Sequence, residues 1–400
     1  MVKLATLFDG NLGSRIGPAI STQRFIEYRN DFLAQGIEPI VCSLDGVHIQ
    51  NVDDKSFETK RIENLSTVGA QMKTLIRHGL LRSYPGTALL LGRSVLHSKR
   101  FVNTHDETIR QADVILTHDL FAAYYITKLY PDKTHVFMTH SNGEPLRQNY
   151  MDRPYLRKGK VHLWMEQALS IVYQQAHRIA FISKTAQEYF KSVHPDYAGK
   201  TVYIANGMED IVQPHIQYED PLRLIAVGTV KKRKNQIAII KAMEKLQDDN
   251  IYLTIIGGGD QYEEYRQYAE SHHVRNVEFL GAIEHSKITD YLARSNCFIS
   301  ASLDEGLPMS GVEALRSSLP MIMTDVGGCR EQISGNGYLV PADDPEALTM
   351  AIRNMKEASA EERMGMGKAS RLLYEHEFTI DVLVQTYKTM VENLRNDGLV

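Results

Sequence analysis

Residues 300–331 read SASLDEGLPMSGVEALRSSLPMIMTDVGGCRE. An apolar run ends at Ser300, and an acidic turn with Asp304 and Glu305 follows. Gly306-Leu307-Pro308 then breaks the chain ahead of an apolar-periodic stretch, Met309–Ser318. Pro320 opens a second apolar run, which closes on Thr324-Asp325-Val326-Gly327-Gly328. The pattern predicts strand, turn, helix, strand. Pro308 suits an early helical position, where a missing N–H costs nothing. The first amides of the helix, at Met309 and Ser310, lack intrahelical acceptors and carry the positive end of the helix dipole. They suit a phosphate or a sugar oxygen. Glu305 precedes the helix and reaches the same space, and Glu313, about a turn further on, can accept from ribose hydroxyls. Two glutamates eight residues apart mean little alone; the surrounding pattern gives them weight.

The same rhythm extends outward in both directions. Short apolar runs are read as strands at Lys3–Phe8, Pro39–Ser43, Val114–Thr117, His135–Thr139, Arg178–Ile182 and Thr201–Ile204. After a polar gap come Leu222–Val227, Tyr252–Ile256, Val277–Leu280, Cys297–Ser300 and Pro320–Thr324. Several lack polar alternation, as parallel strands buried on both faces do. Helical patterns such as Ser21–Ala34 and Asn235–Leu246 lie between them, so the order is βαβα and the class is α/β. The pattern runs twice. The stretch Met208–Pro221, with two prolines, four acids and no period, reads as a linker. Three segments are therefore expected: a domain over 1–207, a second over 208–378, and a terminal helix over 379–400. Helical stretches at Glu346–Glu375 and Thr379–Asn396 close the chain.

Open parallel sheets bind ligands beyond the carboxyl ends of their strands. After the first strand comes DGNLGSRIGP, with Gly10, Gly13 and Gly17 ahead of a helix. Such glycines let backbone amides approach phosphate oxygens, although a flexible turn would read the same way. It is not a P-loop, because no GK[ST] follows. After Val227 comes Gly228-Thr229-Val230-Lys231-Lys232-Arg233-Lys234-Asn235. Four consecutive cations there suit the negative charge of a nucleoside diphosphate. Gly257-Gly258-Gly259-Asp260 and Gly281 open further loops at the same edge.

With these segments in hand, residues 300–331 resemble the E-x7-E region of family 4 retaining glycosyltransferases. In that resemblance Gly228 through Asn235 is similar to the family's G-R-x(3–4)-K-N/G diphosphate loop, with Lys234 at its lysine. IIGGGD resembles the family's glycine turn, VEFLG its next strand, and IANGME its entry to the linker. ADVILTHD and FMTHS resemble two histidine-bearing segments, which puts His118 and His140 at the family's histidine positions. Thr229 stands where the family carries arginine, and Glu209 where it carries aspartate.

The resemblance implies a GT-B fold, two Rossmann-like doubly wound domains facing a central cleft. The N-terminal domain would bind the acceptor and the C-terminal domain the nucleotide-sugar, with closure completing the site and expelling water. It also implies transfer of a hexose or N-acetylhexosamine from a nucleoside-diphosphate sugar, expected to be a UDP-sugar, with retention. The acceptor would be a cell-envelope glycan, a lipid-linked group or a protein. Glu305 and His140 are the expected catalytic residues. Gly17, Gly228, Thr229, Arg233, Lys234, Gly257, Gly306, Leu307, Pro308, Met309, Ser310 and Glu313 are expected to hold the donor. His118, Asp119, Asn142 and Glu144 are weaker candidates for the acceptor. No metal or other cofactor is expected, since cations and amides neutralise the phosphates and no DxD motif ends a strand. Two other readings stay open: a catalytically silent partner of another glycosyltransferase, and a sugar-nucleotide epimerase.

Composition bounds these expectations. The 400 residues carry a net charge of −4, which gives no electrostatic reason to expect nucleic acid. The charge is uneven, +6 over residues 1–205 and −10 over the remainder. From Asn64 to His105 there is no acid, yet Lys73, Arg77, Arg82, Arg93, Lys99 and Arg100 interleave with leucines. Such a segment is either a solvated basic face or a contact for anionic lipid headgroups. Three scattered cysteines fit a reduced compartment. MVKLATLFDGN reads as a core strand and not as a secretory signal, and no apolar run spans a bilayer. A cytoplasmic protein, peripheral on the inner face of the membrane if the basic segment binds lipid, is expected.

Overall fold

The computed structural model describes residues 1–12, 17–48, 84–152 and 154–400. The chain divides into two compact units. The first comprises Met1–Ile182, Ala186–Ile204 and Val384–Val400; the second comprises Ser183–Thr185 and Ala205–Leu383.

In the first unit seven strands form one sheet: β1 (Val2–Leu7), β2 (Ile37–Ser43), β3 (Gly46–His48), β4 (Val114–Thr117), β5 (Thr134–Thr139), β6 (Arg178–Phe181) and β7 (Thr201–Tyr203). Their order is β3-β2-β1-β4-β5-β6-β7. All pairings are parallel except that of β3, a three-residue edge strand antiparallel to β2. Every residue of β4 and β5 is buried, which explains their unalternating sequences. Between β1 and β2 the chain forms helices α1 (Gly17–Glu27) and α2 (Arg29–Ala34). The final helix, Ile380–Asn396, carries buried Tyr387, whose ring centroid lies 4.8 Å from that of Phe25 and 5.6 Å from that of Phe32. From Val384 onward this helix belongs to the first unit. Each such side chain contributes roughly 1.5–3 kcal/mol by its burial.

The second unit holds β8 (Leu222–Val227), β9 (Ile251–Ile256), β10 (Val277–Gly281), β11 (Cys297–Ser300), β12 (Met321–Thr324) and β13 (Gly337–Val340), in the order β10-β9-β8-β11-β12-β13. All its pairings are parallel. Both units are thus doubly wound Rossmann-like sheets, as the βαβα pattern predicts. The chain reverses direction across the sheet between β1 and β4 in one unit and between β8 and β11 in the other. Ligands bind parallel sheets at such switch points.

Two details differ from the sequence reading. The stretch Glu346–Glu375 is two helices, Pro345–Glu357 and Ala360–Glu377. Ser359 and Glu362 form a capping box that starts the second; good helix formers on either side hide this stop. Strands β3 and β13 are absent from that reading: β3 has only three residues and includes His48, and β13 is a four-residue run, Gly337–Val340, part-buried at the sheet edge.

Candidate active site

In the second unit β8 and β11 lie side by side, with Cys297 opposite Leu224 and Phe298 opposite Ile225. The loops at their carboxyl ends therefore meet. Lys234 Nζ stands 2.5 Å from Glu305 Oε1, and Arg233 Nη1 stands 3.3 Å from Oε2. Ser302 Oγ donates to Oε1 at 2.7 Å, and Arg233 also donates to the Asp304 carbonyl at 2.5 Å. Glu305 is only 5% exposed. Burial pushes its carboxyl up, but the charges of Lys234 and then Arg233 outweigh burial and hold it below the ordinary range. The carboxylate is thus ionised and bracketed by cations.

This corrects one expectation. Of the four cations in the run, Lys231 and Lys232 are exposed, while Arg233 and Lys234 turn onto Glu305. Two cations face one carboxylate, so a net charge of about +1 remains for an anion. Thr229 is exposed, and its carbonyl accepts from Gln236 Nε2 at 3.2 Å.

Glycine makes the loop contacts possible. Gly257 has φ +138°, and a Cβ there would stand 2.0 Å from the Gly228 carbonyl oxygen. Gly228, at φ +146°, presses against the Lys234 side chain, with 3.8 Å from a built Cβ to Cε. Gly259, which the sequence reading did not single out by role, leaves 2.2 Å to the Val230 carbonyl.

The Gly-Leu-Pro turn is held from behind. Pro308 is the residue capping the Met309–Arg316 helix, with extended backbone, and not a member of its first turn. Its carbonyl accepts from the Gly311 amide at 3.0 Å and from Gln332 Nε2 at 3.0 Å. The Gly328 amide donates to the Gly306 carbonyl at 2.8 Å. Leu307 is buried, and Met309 Sδ accepts from Asn206 Nδ2 at 3.0 Å. No partner for the Met309 or Ser310 amide occurs among the described residues, so both are available to an incoming oxygen. Glu313 is buried, with His285 Nε2 3.4 Å from its Oε1. Gln332 and His285 escape sequence reading because no fixed spacing ties them to the turn. Asp325 pairs with Arg330, Oδ1 to Nε at 3.0 Å, a structural role.

In the first unit the loops after β1, β4 and β5 bring Gly17, His118 and His140 together. His118 Nε2 lies 2.8 Å from Thr6 Oγ1, and His118 Nδ1 lies 2.8 Å from His140 Nε2. His140 Nδ1 is buried with no partner among the described residues, 4.0 Å from where a Cβ on Gly17 would stand. Burial pushes the His140 imidazole down to about 4, and holds His118 well below the usual range, helped by His140. Both are neutral at pH 7. Two acceptor candidates need correction. Both ring nitrogens of His118 are engaged inside the protein. Asp119 caps the Leu120–Leu129 helix, its Oδ1 accepting from the Phe121 and Ala122 amides at 2.8 and 3.1 Å. Asn142 follows β5 and is half-buried. Glu144 accepts from Tyr189 Oη at 3.0 Å and faces Arg147 at 3.3 Å. It lines a cavity of about 310 Å³ together with Tyr150, Arg157, Glu166 and Tyr173.

The buried histidines fix a pH response. His135, like His140, is lowered by burial, to about 3. A histidine whose folded pKa lies below its unfolded value of about 6.5 contributes stability that is complete above pH 6.5 and is lost as pH falls. Asp9 runs the other way: burial pushes it up to about 6, so it offsets part of the loss below that pH. Burial raises Asp119 in the same sense as Asp9, but it also lowers His48 and His177, so five lowered histidines against two raised acids leave a net decline. The urea midpoint should fall progressively from pH 6.5 to 4, with up to ~3 kcal/mol from a shift the size of His140's. A midpoint that stays flat over that window would contradict the burial of these rings.

Of the basic segment, residues 64–83 lie outside the described residues, as does Gly13 of the first loop. Helix Tyr84–Thr104 carries Arg93, Lys99 and Arg100, all exposed, beside exposed Leu89 and Leu96. Among the described residues no helix is long and apolar enough to cross a membrane. Nor does any cluster of three His, Cys, Asp or Glu side chains suit a metal ion there. The three cysteines are buried and unpaired.

Residues 208–373, which contain the second-unit contacts described above apart from Asn206, match the family model for Glycosyl transferases group 1. Over these residues the second unit is similar to a group 1 glycosyltransferase domain. Over 119 residues the chain is 34% identical to the O-antigen biosynthesis glycosyltransferase WbnH of Escherichia coli. That stretch is 30% of this chain and 33% of WbnH, so it spans a third of the relative's own length. Sucrose-phosphate synthase from Thermosynechococcus elongatus superposes with a TM-score of 0.70 at 18% identity, covering 99% of this chain and 100% of that one. The Anabaena protein HepE, solved in complex with UDP-glucose, superposes at 0.68 with 16% identity, covering 98% and 100%. These likenesses show the fold: two Rossmann-like parallel-sheet units of the GT-B type. Glu305, Glu313, Lys234 and the helix that follows Pro308 all lie within the matched residues.

Proposed function

We propose that the chain is a retaining glycosyltransferase that moves a hexose or N-acetylhexosamine from a nucleoside-diphosphate sugar, a UDP-sugar, to a cell-envelope glycan, lipid-linked or protein acceptor. The observation that carries this reading is the buried, ionised Glu305 held by Lys234 and Arg233 beside the free amides of Met309 and Ser310. A departing diphosphate needs positive charge and donors that are already oriented. Lys234, Arg233 and the helix terminus supply both, with no metal or other cofactor required. Glu305 takes the donor sugar's hydroxyls and Glu313 the ribose. His140 donates a hydrogen bond to the sugar or to charge developing near its anomeric carbon. The group 1 match, the O-antigen relative and the UDP-glucose complex of HepE support this assignment.

Incubation with UDP-glucose, UDP-galactose, UDP-GlcNAc and GDP-mannose, with and without candidate acceptors, tests it. One donor should release free nucleoside diphosphate in an acceptor-dependent way. Interconversion of the sugar without release would make the chain an epimerase; failure to bind any donor would make it a silent partner. The exposed leucines and cations of helix Tyr84–Thr104 further support a peripheral contact with anionic lipid. Co-sedimentation with phosphatidylserine vesicles should then exceed that with phosphatidylcholine vesicles at low salt, and equal partitioning would rule the contact out.

A further inference from the structure

We propose that Thr6 and His118 act as positioning residues that lock His140 in the neutral tautomer protonated on Nδ1, so that its ring offers a hydrogen-bond donor and never a base. The inference rests on the reading of His140 as a donor-sugar contact and deepens it.

Three side chains lie in line across adjacent strands. Thr6 sits on β1, His118 directly follows β4, and His140 directly follows β5. β1 pairs with β4, and β4 with β5. The two links are each 2.8 Å. Thr6 is fully buried, and His118 nearly so. The direction of the chain follows from its ends. A threonine hydroxyl has one hydrogen, and among the described residues the only acceptor near Thr6 Oγ1 is His118 Nε2. A buried hydroxyl hydrogen with no acceptor is costly. Thr6 therefore donates to His118 Nε2, and the His118 proton resides on Nδ1. That proton is donated to His140 Nε2, which leaves the His140 proton on Nδ1. The reverse direction would strand the Thr6 hydrogen. An extra proton on either ring is opposed by burial.

The outer end of the relay is the atom that no described residue satisfies. His140 Nδ1 is buried and faces Gly17, the first residue of an eleven-residue helix. A side chain at Gly17 would stand over it at 4.0 Å. The ring thus presents N–H to a ligand oxygen, either a sugar hydroxyl or an oxygen gaining negative charge. Free histidine favours the other tautomer, so the relay imposes a state that the residue would not choose alone. Threonine on a central strand and a second histidine serve this end, which accounts for His118 without an acceptor role.

Nitrogen NMR of the whole chain labelled with ¹⁵N-histidine tests the proposal without any assay of turnover. The expected signature is a protonated, pyrrole-type Nδ1 and a pyridine-type Nε2 on both His118 and His140 at pH 7. Assignment of the His140 proton to Nε2 would overturn the proposal. Thr6→Val should disturb the His140 tautomer and lower donor turnover about tenfold through kcat with donor KM little changed, while Thr6→Ser restores both. If Thr6→Val does not fold, the wild-type spectrum decides alone. Should the wild type show the expected tautomer while His140→Ala keeps full turnover, the relay stands and the donor-contact reading of His140 fails.

Discussion

Replacing Glu305 by alanine is expected to lower glycosyl transfer by about 10²–10³-fold while leaving UDP bound at least as tightly as in the wild type. The two effects separate because of where Glu305 sits. Its carboxylate is the counter-ion of Lys234 and Arg233, so its removal frees positive charge for a diphosphate. The same removal takes away the group proposed to hold the sugar's hydroxyls. Without nucleotide, the variant carries two partly buried cations with no carboxylate, and losing one partner of a buried pair costs about 3–5 kcal/mol. The apo variant should therefore melt earlier, and UDP should restore more of its melting temperature than it adds to the wild type. Glu305→Gln keeps shape and some hydrogen bonding but not charge, and should follow alanine in turnover. Turnover is read as nucleoside diphosphate released, binding by calorimetry. A parallel fall in UDP affinity and turnover would show that Glu305 serves the nucleotide and not the sugar.

Gly257→Ala should cost about 2–4 kcal/mol of stability and abolish measurable UDP binding. Two costs act on one atom. A φ of +138° is strained for any L side chain, worth roughly 1–3 kcal/mol. The added methyl would lie 2.0 Å from the Gly228 carbonyl, a backbone atom that moves only if the whole loop moves. That loop carries Arg233 and Lys234, so its displacement pulls both cations off their positions. The neighbouring substitution is the control. Gly258 has no positive φ, and its nearest neighbour would be the Ala282 Cβ at an ordinary 3.7 Å. Gly258→Ala should leave the unfolding midpoint and UDP affinity near wild type. Equal behaviour of the two variants would refute the claim that the 257 turn seats the 228–234 loop.

Legibility in the sequence followed burial and chain locality. The eleven apolar runs from Lys3 to Thr324 all became strands; most are central parallel strands that must be apolar throughout, while β7 and β10 are part-buried edge strands that kept an apolar run. β3 and β13 did not show, although β7, no longer and also part-buried, did. Residues 300–331 were legible for a local reason: strand, turn, helix and strand follow one another with no gap. What was hidden is what the topology brings in from elsewhere. Nothing in the order Lys231-Lys232-Arg233-Lys234 tells which cations turn inward; the adjacency of β8 and β11 decides it. Gln332 behind Pro308, His285 over Glu313 and Thr6 behind His118 are single polar residues whose roles exist only through long-range contact. Asp119 misled because an acid after a strand serves equally as a ligand group or as a helix cap, and here the Phe121 and Ala122 amides of the next helix take one of its oxygens.

Calorimetric titration of the whole chain with UDP, in the wild type and in Lys234→Ala, tests the central claim most directly. The claim is that the second unit grips a nucleoside diphosphate through Lys234, Arg233 and the free amides after Pro308. The wild type should bind with a dissociation constant on the order of 1–100 μM, about −8 to −5 kcal/mol. Lys234→Ala should weaken binding at least tenfold, since it removes one of two cations and leaves Glu305 opposed to the phosphates. Wild-type binding that is absent, or that Lys234→Ala leaves unchanged, would contradict the account.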